Sequence, residues 1–328
     1  MRLAIVYNKN DHKLDRQAYS QTYRHMFDAL IEHEGWESVQ HVTQDCHGDD
    51  IDADVIIIYD IHSSHHIDIE NFKFHKAIKY TYFNDPHQTE IKGTYKDGTP
   101  VHKLGARNRV IRALTRGVNF VICPYNDGYN SFIAPYLGND ADAMKVWFPV
   151  APKRASSVTS ILPLTSRPHK VLANGHLWAG WDGFRPYKFR TWAYSQKNVQ
   201  LVPHCLHSPH IFKGDSFVNL LTKFAAGLAL TDWYVVPKYL EIPLAGCLCI
   251  AQKRDDYLRM GFKDNEHCIY VDRQNFKQVI EAFLYDIPFY QTIADNGRKL
   301  AENNYTAMHF AKYIFDHSKG ELNGCSDD

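Results

Sequence analysis

The sequence has no excess of charge of either sign, no long apolar run and no disulfide-type cysteine pattern. Lys and Arg total 37 and Asp and Glu total 37, so the formal net charge is zero. A neutral chain has no global field that would draw it to nucleic acid or to an anionic membrane. No apolar stretch approaches the ~20 residues that a membrane-spanning helix needs. These absences predict a soluble protein with no integral membrane segment.

Cysteine usage and the N-terminal residues indicate the compartment. Seven cysteines, an odd number, are scattered from Cys46 to Cys325, and no pair has the spacing of a small secreted domain. This pattern favours a reducing compartment. The opening "MRLAIVYNKNDHK" contains an apolar run that is too short for the core of a signal peptide and is typical of a first β-strand. We therefore expect a cytoplasmic protein.

Histidine is frequent, with 19 residues, and raises the question of a metal site. The stretch "HCLHSPH" (204–210) places His204, His207 and His210 three residues apart. The adjacent prolines disfavour a regular helix there. No second cluster supplies further ligands at zinc-type spacing. We therefore expect no bound metal.

Short β-rich runs alternate with helical patterns along the chain, which is typical of βαβ units and a mainly parallel sheet. The run "DVIIIYD" (54–60) is apolar without alternation, as expected for a central strand buried on both faces. A stretch rich in Ser, Thr and Pro at 151–168 interrupts the pattern and predicts a linker. The predicted strands are 2–7, 54–60, 77–85, 119–125, 169–175, 199–204, 225–231, 247–251 and 268–272. The predicted helices are 15–34, 104–116, 216–224, 237–245, 275–285, 288–303 and 307–320.

One apolar stretch, "VPKYLEIPLAGCLCIA" (236–251), carries Lys238 and Glu241 three residues apart between Pro237 and Gly246. Proline suits the first turn of a helix, and residues three apart share a helix face, about 5 Å along the axis. One interpretation is an exposed ion pair worth a few tenths of a kcal/mol. The other is a binding site for a nucleoside diphosphate. In that site the lysine and the helix N-terminus would contact the phosphates, and the carboxylate would bind a vicinal diol. Spacing alone favours the ion pair.

With "MGFKDNEHCIYVD" and "IADNGRKLAENNYT" further along, this stretch resembles the C-terminal half of GT-B glycosyltransferases, nearest to the CgeB-like branch of the glycosyltransferase group 1 superfamily. The resemblance runs from about Lys170 to Tyr305. The N-terminal half matches only in its strand rhythm, and it reads "YNKNDHK" where many relatives carry a glycine-rich loop. The resemblance implies an α/β protein with two Rossmann-like parallel-sheet domains that face each other across a cleft.

The same resemblance implies an enzyme that moves a sugar from a nucleotide-diphosphate donor, such as a UDP-sugar, to an unidentified acceptor. It implies retention of configuration and no metal or other cofactor. The domains that it implies are an acceptor-side domain at 1–150, the linker at 151–168, a nucleotide-sugar domain at 169–305, a closing helix at 306–320 that packs back toward the N-terminal domain, and a disordered tail at 321–328.

Carried residue by residue, the resemblance makes Glu241 the ribose-binding acid and Lys238 a diphosphate contact. Arg190 would be a second diphosphate contact, Gly175 would let the backbone approach the ligand, and His204 would lie at the base. The alternatives are an ordinary turn at Gly175 and a solvated helix residue at Arg190.

Catalytic candidates follow two of the predicted strands in the N-terminal half. "YDIHSSHH" (59–66) supplies His62, and "YFNDPHQ" (82–88) supplies Asp85 and His87. Such groups could orient an acceptor hydroxyl or polarise the donor phosphate. The alternative is that each caps its own loop.

A stripe of basic residues on the predicted helix 104–116 is most simply a solvated face. Alternatively, these basic residues contact a phosphorylated acceptor, a membrane surface or DNA phosphates. The stripe consists of Lys103, Arg107, Arg109, Arg112 and Arg116.

Two other functions remain open. One is a non-hydrolysing nucleotide-sugar epimerase, and the other is a non-catalytic protein that binds a sugar nucleotide or nucleic acid. The sequence does not distinguish a glycan, a small molecule, a protein or a modified nucleic acid as the acceptor.

Overall fold

The chain divides into two compact units in the computed structural model. Unit 1 comprises Met1–Asp15, Met26–Pro149 and Met308–Asp328, and unit 2 comprises Arg16–His25 and Val150–Ala307. Each unit is therefore assembled from stretches that are distant in sequence. The structure describes residues 1–9, 14, 22–43, 46–59, 69–86, 91–94, 100–103, 105–152, 161–175, 177, 188–202 and 215–324.

Unit 1 is built on a parallel sheet. Its described strands are β1 (Arg2–Val6), β2 (Ser38–Val42), β3 (Cys46–His47), β4 (Val55–Ile58), β5 (Ile69–Glu70), β6 (Ile78–Tyr82), β7 (Ile91–Thr94), β8 (Pro100–Lys103), β9 (Phe120–Ile122) and β10 (Lys145–Val146). Six of them pair in the order β10-β9-β6-β4-β1-β2, and every pairing is parallel. The pair β3 and β5 is parallel, and β7 and β8 form an antiparallel hairpin.

The β4 strand lies inside this sheet, as its apolar run predicts. Ile57 of β4 is opposite Ile5 of β1 on one side and Tyr80 of β6 on the other. All three side chains are completely buried. A strand covered on both faces needs apolar residues at successive positions rather than at alternate ones, which is why "VIII" occurs here.

Unit 2 contains a second parallel sheet. Its strands are β11 (Val171–Asn174), β12 (Val199–Val202), β13 (Ala226–Ala229), β14 (Leu248–Gln252) and β15 (Ile269–Val271). They pair in the order β12-β11-β13-β14-β15. Every strand predicted from the sequence coincides with a described strand in one of the two sheets. All of these strands except β12, which is only partly buried, rest on apolar runs that a sheet buries. The prediction missed β2 and β10 at the two edges of the unit 1 sheet, and the small paired strands β3, β5, β7 and β8.

The helices alternate with these strands. In chain order they are α1 (Thr22–Glu32), α2 (Ala106–Thr115), α3 (Asn126–Phe132), α4 (Ala134–Leu137), α5 (Lys188–Tyr194), α6 (Asp215–Thr222), α7 (Lys238–Leu244), α8 (Asp255–Arg259), α9 (Phe276–Tyr285), α10 (Gln291–Asn304) and α11 (Ala307–Gly324). Within unit 1, Phe315 of α11 packs edge-on against Trp36 at 4.9 Å between ring centroids. Ser318 of the same helix donates a hydrogen bond to the Tyr80 hydroxyl at 3.1 Å.

The α7 helix is short for reasons that the sequence contains. Pro243 lies inside it and lacks the N–H that a longer helix would use. Gly246 follows at φ 68°, in the left-handed region, and its N–H bonds the carbonyl of Pro243 at 2.7 Å. The predictions of a short helix and of a left-handed cap at Gly246 are both confirmed.

Residues 161–168, the described second half of the predicted linker, lie in unit 2. Leu164 is completely buried in the core of that unit. The Arg167 guanidinium is buried and donates to the carbonyls of Leu162, Phe224 and Ala245. A buried cation held by three backbone carbonyls fixes this part of the chain against the sheet.

No helix among the described residues is both long enough and apolar enough to cross a membrane. The five cysteines in the same part of the chain, Cys46, Cys123, Cys247, Cys249 and Cys268, form no disulfide.

Candidate functional site

A cluster of polar and charged side chains lies at the carboxyl ends of two neighbouring strands of unit 2. Gly175 directly follows β11, and the loop after β13 leads into α7. Because β11 and β13 are parallel neighbours, the two segments leave the sheet at the same edge. In parallel α/β sheets, ligands bind at this edge.

Gly175 and Lys238 meet at this edge. Gly175 has φ 129°, a backbone conformation that residues with a Cβ rarely adopt. A Cβ atom on Gly175 would collide with the Nζ atom of Lys238. The preceding carbonyl, that of Asn174, accepts a hydrogen bond from the Tyr194 hydroxyl at 2.9 Å. The backbone angle therefore favours glycine here, whereas the lysine ammonium, at the end of a flexible side chain, can move aside.

Glu241 lies one helical turn after Lys238 on α7 and is only 9% exposed. Its Oε1 atom accepts a hydrogen bond from the Thr22 hydroxyl at 2.9 Å. Thr22 is the first residue of α1 and belongs to the same unit although it is 219 residues away in sequence. The interpretation as an exposed ion pair, which spacing alone favours, is therefore wrong, because Glu241 is buried and Lys238 is half-buried.

Two arginines hold the loop between β13 and α7. The Nε and Nη2 atoms of Arg190 both donate to the carbonyl of Leu230, with Nε at 2.9 Å. Arg254 donates through Nη2 to the next carbonyl, that of Thr231. Asp232 follows in the chain; burial raises the pKa of its carboxyl, and the charges of Arg190 and Arg254 oppose that rise. Arg190 is buried, so it is not the solvated helix residue of the alternative interpretation.

The electrostatics of the cluster act most strongly on Lys238. Desolvation by burial and the charge of Arg190, opposed by that of Glu241, together lower the pKa of Lys238 to about 7. The side-chain amine of Lys238 is therefore about half-protonated at neutral pH. A ligand that brings negative charge to this edge would favour the protonated form.

The structure brings together four of the five residues predicted at the donor: Gly175, Lys238, Glu241 and Arg190. The fifth, His204, lies outside the described residues. Sequence reasoning missed Thr22, Asp232 and Arg254. Thr22 gives no local signal beyond its place at the start of α1, since its partner is on a different part of the chain. Asp232 could have been noticed because it directly follows the predicted strand 225–231, and Arg254 because it lies three residues after the predicted strand 247–251.

In unit 1, Asp85 follows β6 and is half-buried, with φ 47° in the left-handed region that aspartate tolerates. Its Oδ2 atom accepts a hydrogen bond from the Asn84 side-chain amide at 2.9 Å. Asn84 is completely buried, and its Oδ1 atom accepts from the Tyr125 hydroxyl at 3.0 Å. The carboxylate of Asp85 is thus held by a fixed amide. The other two catalytic candidates, His62 and His87, lie outside the described residues.

The basic stripe on α2 needs a correction. Arg109 is buried, donates from Nη1 to the carbonyl of Asn84 at 2.7 Å and stacks over the Phe83 ring at 4.1 Å. Arg112 and Arg116 are half-buried and Arg107 is exposed. Lys103 is the last residue of β8 and not part of α2, so its predicted place on the helix is wrong. The prediction of a uniformly solvated helix face is therefore wrong, because α2 packs this side against the strand ends.

Comparison with known proteins shows which family the C-terminal part of this chain resembles. Residues 165–316 match the family described as glycosyl transferase-like. That range includes β11 to β15 and the cluster around Lys238 and Glu241. The sequence matches no curated protein.

Solved structures extend the similarity to the whole chain. The Anabaena protein HepE, crystallised with UDP-glucose, aligns with a TM-score of 0.59 at 9% identity, covering 98% of this chain and 100% of HepE. A glycosyltransferase from Rickettsia africae aligns with a TM-score of 0.59 at 10% identity, covering 98% of each chain. At these identities the likeness establishes the fold, which is GT-B. The whole chain thus has the fold of the GT-B glycosyltransferases, and residues 165–316 are similar to a glycosyl transferase-like family.

Proposed function

We propose that this protein is a glycosyltransferase that takes its sugar from a UDP-sugar, which unit 2 binds through Glu241 and Lys238. The observation that carries the proposal is the position of Lys238 against the backbone of Gly175, with a buried carboxylate one turn further along the same helix. The Lys238 ammonium, next to a glycine with no side chain, can pair with a diphosphate. The Glu241 carboxylate can accept hydrogen bonds from the two hydroxyls of a ribose. HepE, which has the same fold, was crystallised with UDP and with UDP-glucose.

Arg190 and His204 complete the proposed donor site. Because the Arg190 guanidinium already holds the carbonyl of Leu230, its proposed role is to fix the loop as well as to add positive charge near the diphosphate. His204 is proposed at the base. Asp85, His62 and His87 are the proposed catalytic groups on the acceptor side.

The finer assignments that rest on the sequence resemblance are membership of the CgeB-like branch, retention of configuration at the transferred sugar, and independence of metal and of other cofactors. The proposed cytoplasmic location rests on the cysteine pattern and on the N-terminal residues.

Activity is expected with a UDP-sugar and is expected to survive EDTA. The cationic side chains Lys238 and Arg190 would balance the charge of the diphosphate, as a metal ion does in other enzymes. The measurement is release of UDP and free sugar from a panel of nucleotide sugars in which base and sugar vary separately, with and without chelator.

Three outcomes of that measurement would count against the proposal. An isomerised nucleotide sugar would identify an epimerase. Thermal stabilisation by nucleotide sugars without any turnover, in the presence of candidate acceptors, would identify a binding protein. Activity that is lost with EDTA and restored by Mn²⁺ or Mg²⁺ would contradict metal independence.

Affinity for a UDP-sugar is expected to fall about tenfold between pH 6 and pH 8. The Lys238 pKa of about 7 in the free protein means that the ammonium is mostly present at pH 6 and mostly absent at pH 8. Binding of the diphosphate favours the protonated form, so at pH 8 each binding event should take up nearly one proton. Calorimetry at pH 8 in two buffers with different ionisation enthalpies measures that uptake.

Lys238→Met is the matched control, since it keeps much of the side-chain volume and cannot titrate. It should bind more weakly at pH 6 and show no pH dependence in this range. If the wild-type protein and Lys238→Met share the same pH profile, Lys238 does not contact the diphosphate.

A further inference from the structure

Asp232 is an acidic residue at the carboxyl edge of the unit 2 sheet that the proposed donor contacts do not use. It comes three residues after the end of β13 and is half-buried. Among the described residues, none donates a hydrogen bond to its carboxylate or forms an ion pair with it, although burial disfavours the charged form. A carboxylate in these surroundings is suited to a ligand that brings hydrogen-bond donors.

The backbone beside Asp232 is held in place by its neighbours. Thr231 is buried, and its N–H donates to the Gln252 side chain at 3.2 Å. The Thr231 carbonyl accepts a hydrogen bond from Arg254, and its hydroxyl accepts one from the N–H of Trp233 at 3.5 Å. A carboxylate on a segment that is already fixed loses little conformational freedom when it binds a ligand.

The charges near Asp232 relate it to the proposed diphosphate site. Besides burial, the groups that shift the pKa of Lys238 are Arg190 and Glu241. Besides burial, the groups that shift the pKa of Asp232 are Arg190 and Arg254. Arg190 is thus the neighbour that the lysine and the aspartate share. A diphosphate bound by Lys238 and Arg190 would have Glu241 near the lysine and Asp232 near the arginine.

A nucleotide sugar carries hydroxyl groups on both sides of its diphosphate. The ribose is on one side and is assigned to Glu241, so the transferred sugar on the other side is the group left for Asp232. A carboxylate only accepts hydrogen bonds, and its two oxygens can accept from two neighbouring hydroxyls. It also disfavours a second carboxylate nearby, because like charges repel strongly where water is excluded.

We propose that Asp232 binds the hydroxyls of the transferred sugar and selects a neutral sugar over a uronic acid. This inference rests on the proposed function, because the position of the diphosphate is taken from Lys238 and Arg190. It extends that function by assigning the class of sugar and the residue that recognises it.

The test measures binding of UDP, UDP-glucose, UDP-galactose, UDP-N-acetylglucosamine and UDP-glucuronate by calorimetry. The variant is Asp232→Asn, which keeps the side-chain volume and removes the charge. UDP lacks the sugar and should bind to the variant as it binds to the wild type, which also shows that the variant folds. The neutral donor that the wild type binds best should lose about tenfold in affinity, as expected for hydrogen bonds to a charged group. Its preference over UDP-glucuronate should fall by at least the same factor.

Asp255→Asn is the matched control, because it makes the same change of charge at an exposed position on α8 of the same unit. It should bind all five ligands as the wild type does. Equal losses in the two variants would show a general effect of charge and overturn the inference. Equal losses of UDP and of the neutral donor in Asp232→Asn would assign Asp232 to the nucleotide and also overturn it. A wild-type preference for UDP-glucuronate would do the same.

The UDP titration of the wild-type protein separates this inference from the proposed function. If the wild type does not bind UDP, the proposed function is contradicted and the sugar assignment falls with it. If the wild type binds UDP and Asp232→Asn keeps the wild-type selectivity among the sugars, the sugar assignment alone is overturned.

Discussion

Glu241→Ala is expected to weaken binding of a UDP-sugar by roughly 10- to 150-fold, or about 1.5–3 kcal/mol. The carboxylate would accept charge-assisted hydrogen bonds from the ribose, and its removal loses them all. Because Glu241 is buried, a ligand bound there would exclude water from these bonds. Calorimetric titration with UDP measures the loss.

Two matched variants keep this expectation testable. Glu241→Gln retains the volume and the acceptor for Thr22 but loses the charge, and should bind with intermediate affinity. Glu281→Ala removes an exposed glutamate from α9 of the same unit and should bind normally. If Glu241→Ala and Glu241→Gln both melt at the wild-type temperature and both bind UDP normally, Glu241 is not the ribose acid.

Thr22 provides a finer test of the same site. Its hydroxyl donates to Glu241 at 2.9 Å, and Thr22→Val removes that bond with little change of shape. One hydrogen bond of this kind contributes about 1 kcal/mol, so donor affinity should fall several-fold. Thr22→Ser should restore it, which a purely steric role of the threonine methyl would not.

Asp85→Ala is expected to reduce the rate of sugar transfer by at least about 100-fold while donor affinity stays nearly constant. General acid–base groups contribute about 10²–10⁴-fold to rates. The Asp85 carboxylate is held by the Asn84 amide and lies at the carboxyl end of β6, in the other unit from Glu241. Steady-state rates with any identified acceptor, together with UDP titrations, measure both quantities.

Asp85→Asn is the sharper variant, since it keeps the shape and tolerates the same backbone conformation. Asp140→Ala, at an exposed aspartate of the same unit, is the control and should transfer sugar normally. Near-native turnover of Asp85→Asn would remove Asp85 from the mechanism and leave His62 and His87 as the candidates. A loss of donor affinity would place Asp85 in binding rather than in catalysis.

Local sequence determined the strands of both sheets, except the edge strands β2 and β10, and the form of α7. An apolar run such as "VIII" can be satisfied only where both faces are covered, and Pro243 and Gly246 limit a helix whatever packs around it. The sequence also predicted that Lys238 and Glu241 share a helix face, because residues three apart on a helix are neighbours. The sequence could not predict whether this pair is exposed or buried, since burial depends on what packs against the helix.

Tertiary structure alone decided the partners of these residues. Thr22 reaches Glu241 across 219 residues, and Lys238 lies against Gly175 because β11 and β13 are neighbours in the sheet. Arg190 and Arg254 both donate to the loop between β13 and α7 although they are on different elements. Arg109 looked like a surface residue and is buried, because its carbonyl partner at Asn84 comes from a strand end. Helical periodicity gives the face on which a side chain lies, whereas the hydrogen-bond partner that makes its burial favourable comes from the packing of distant segments.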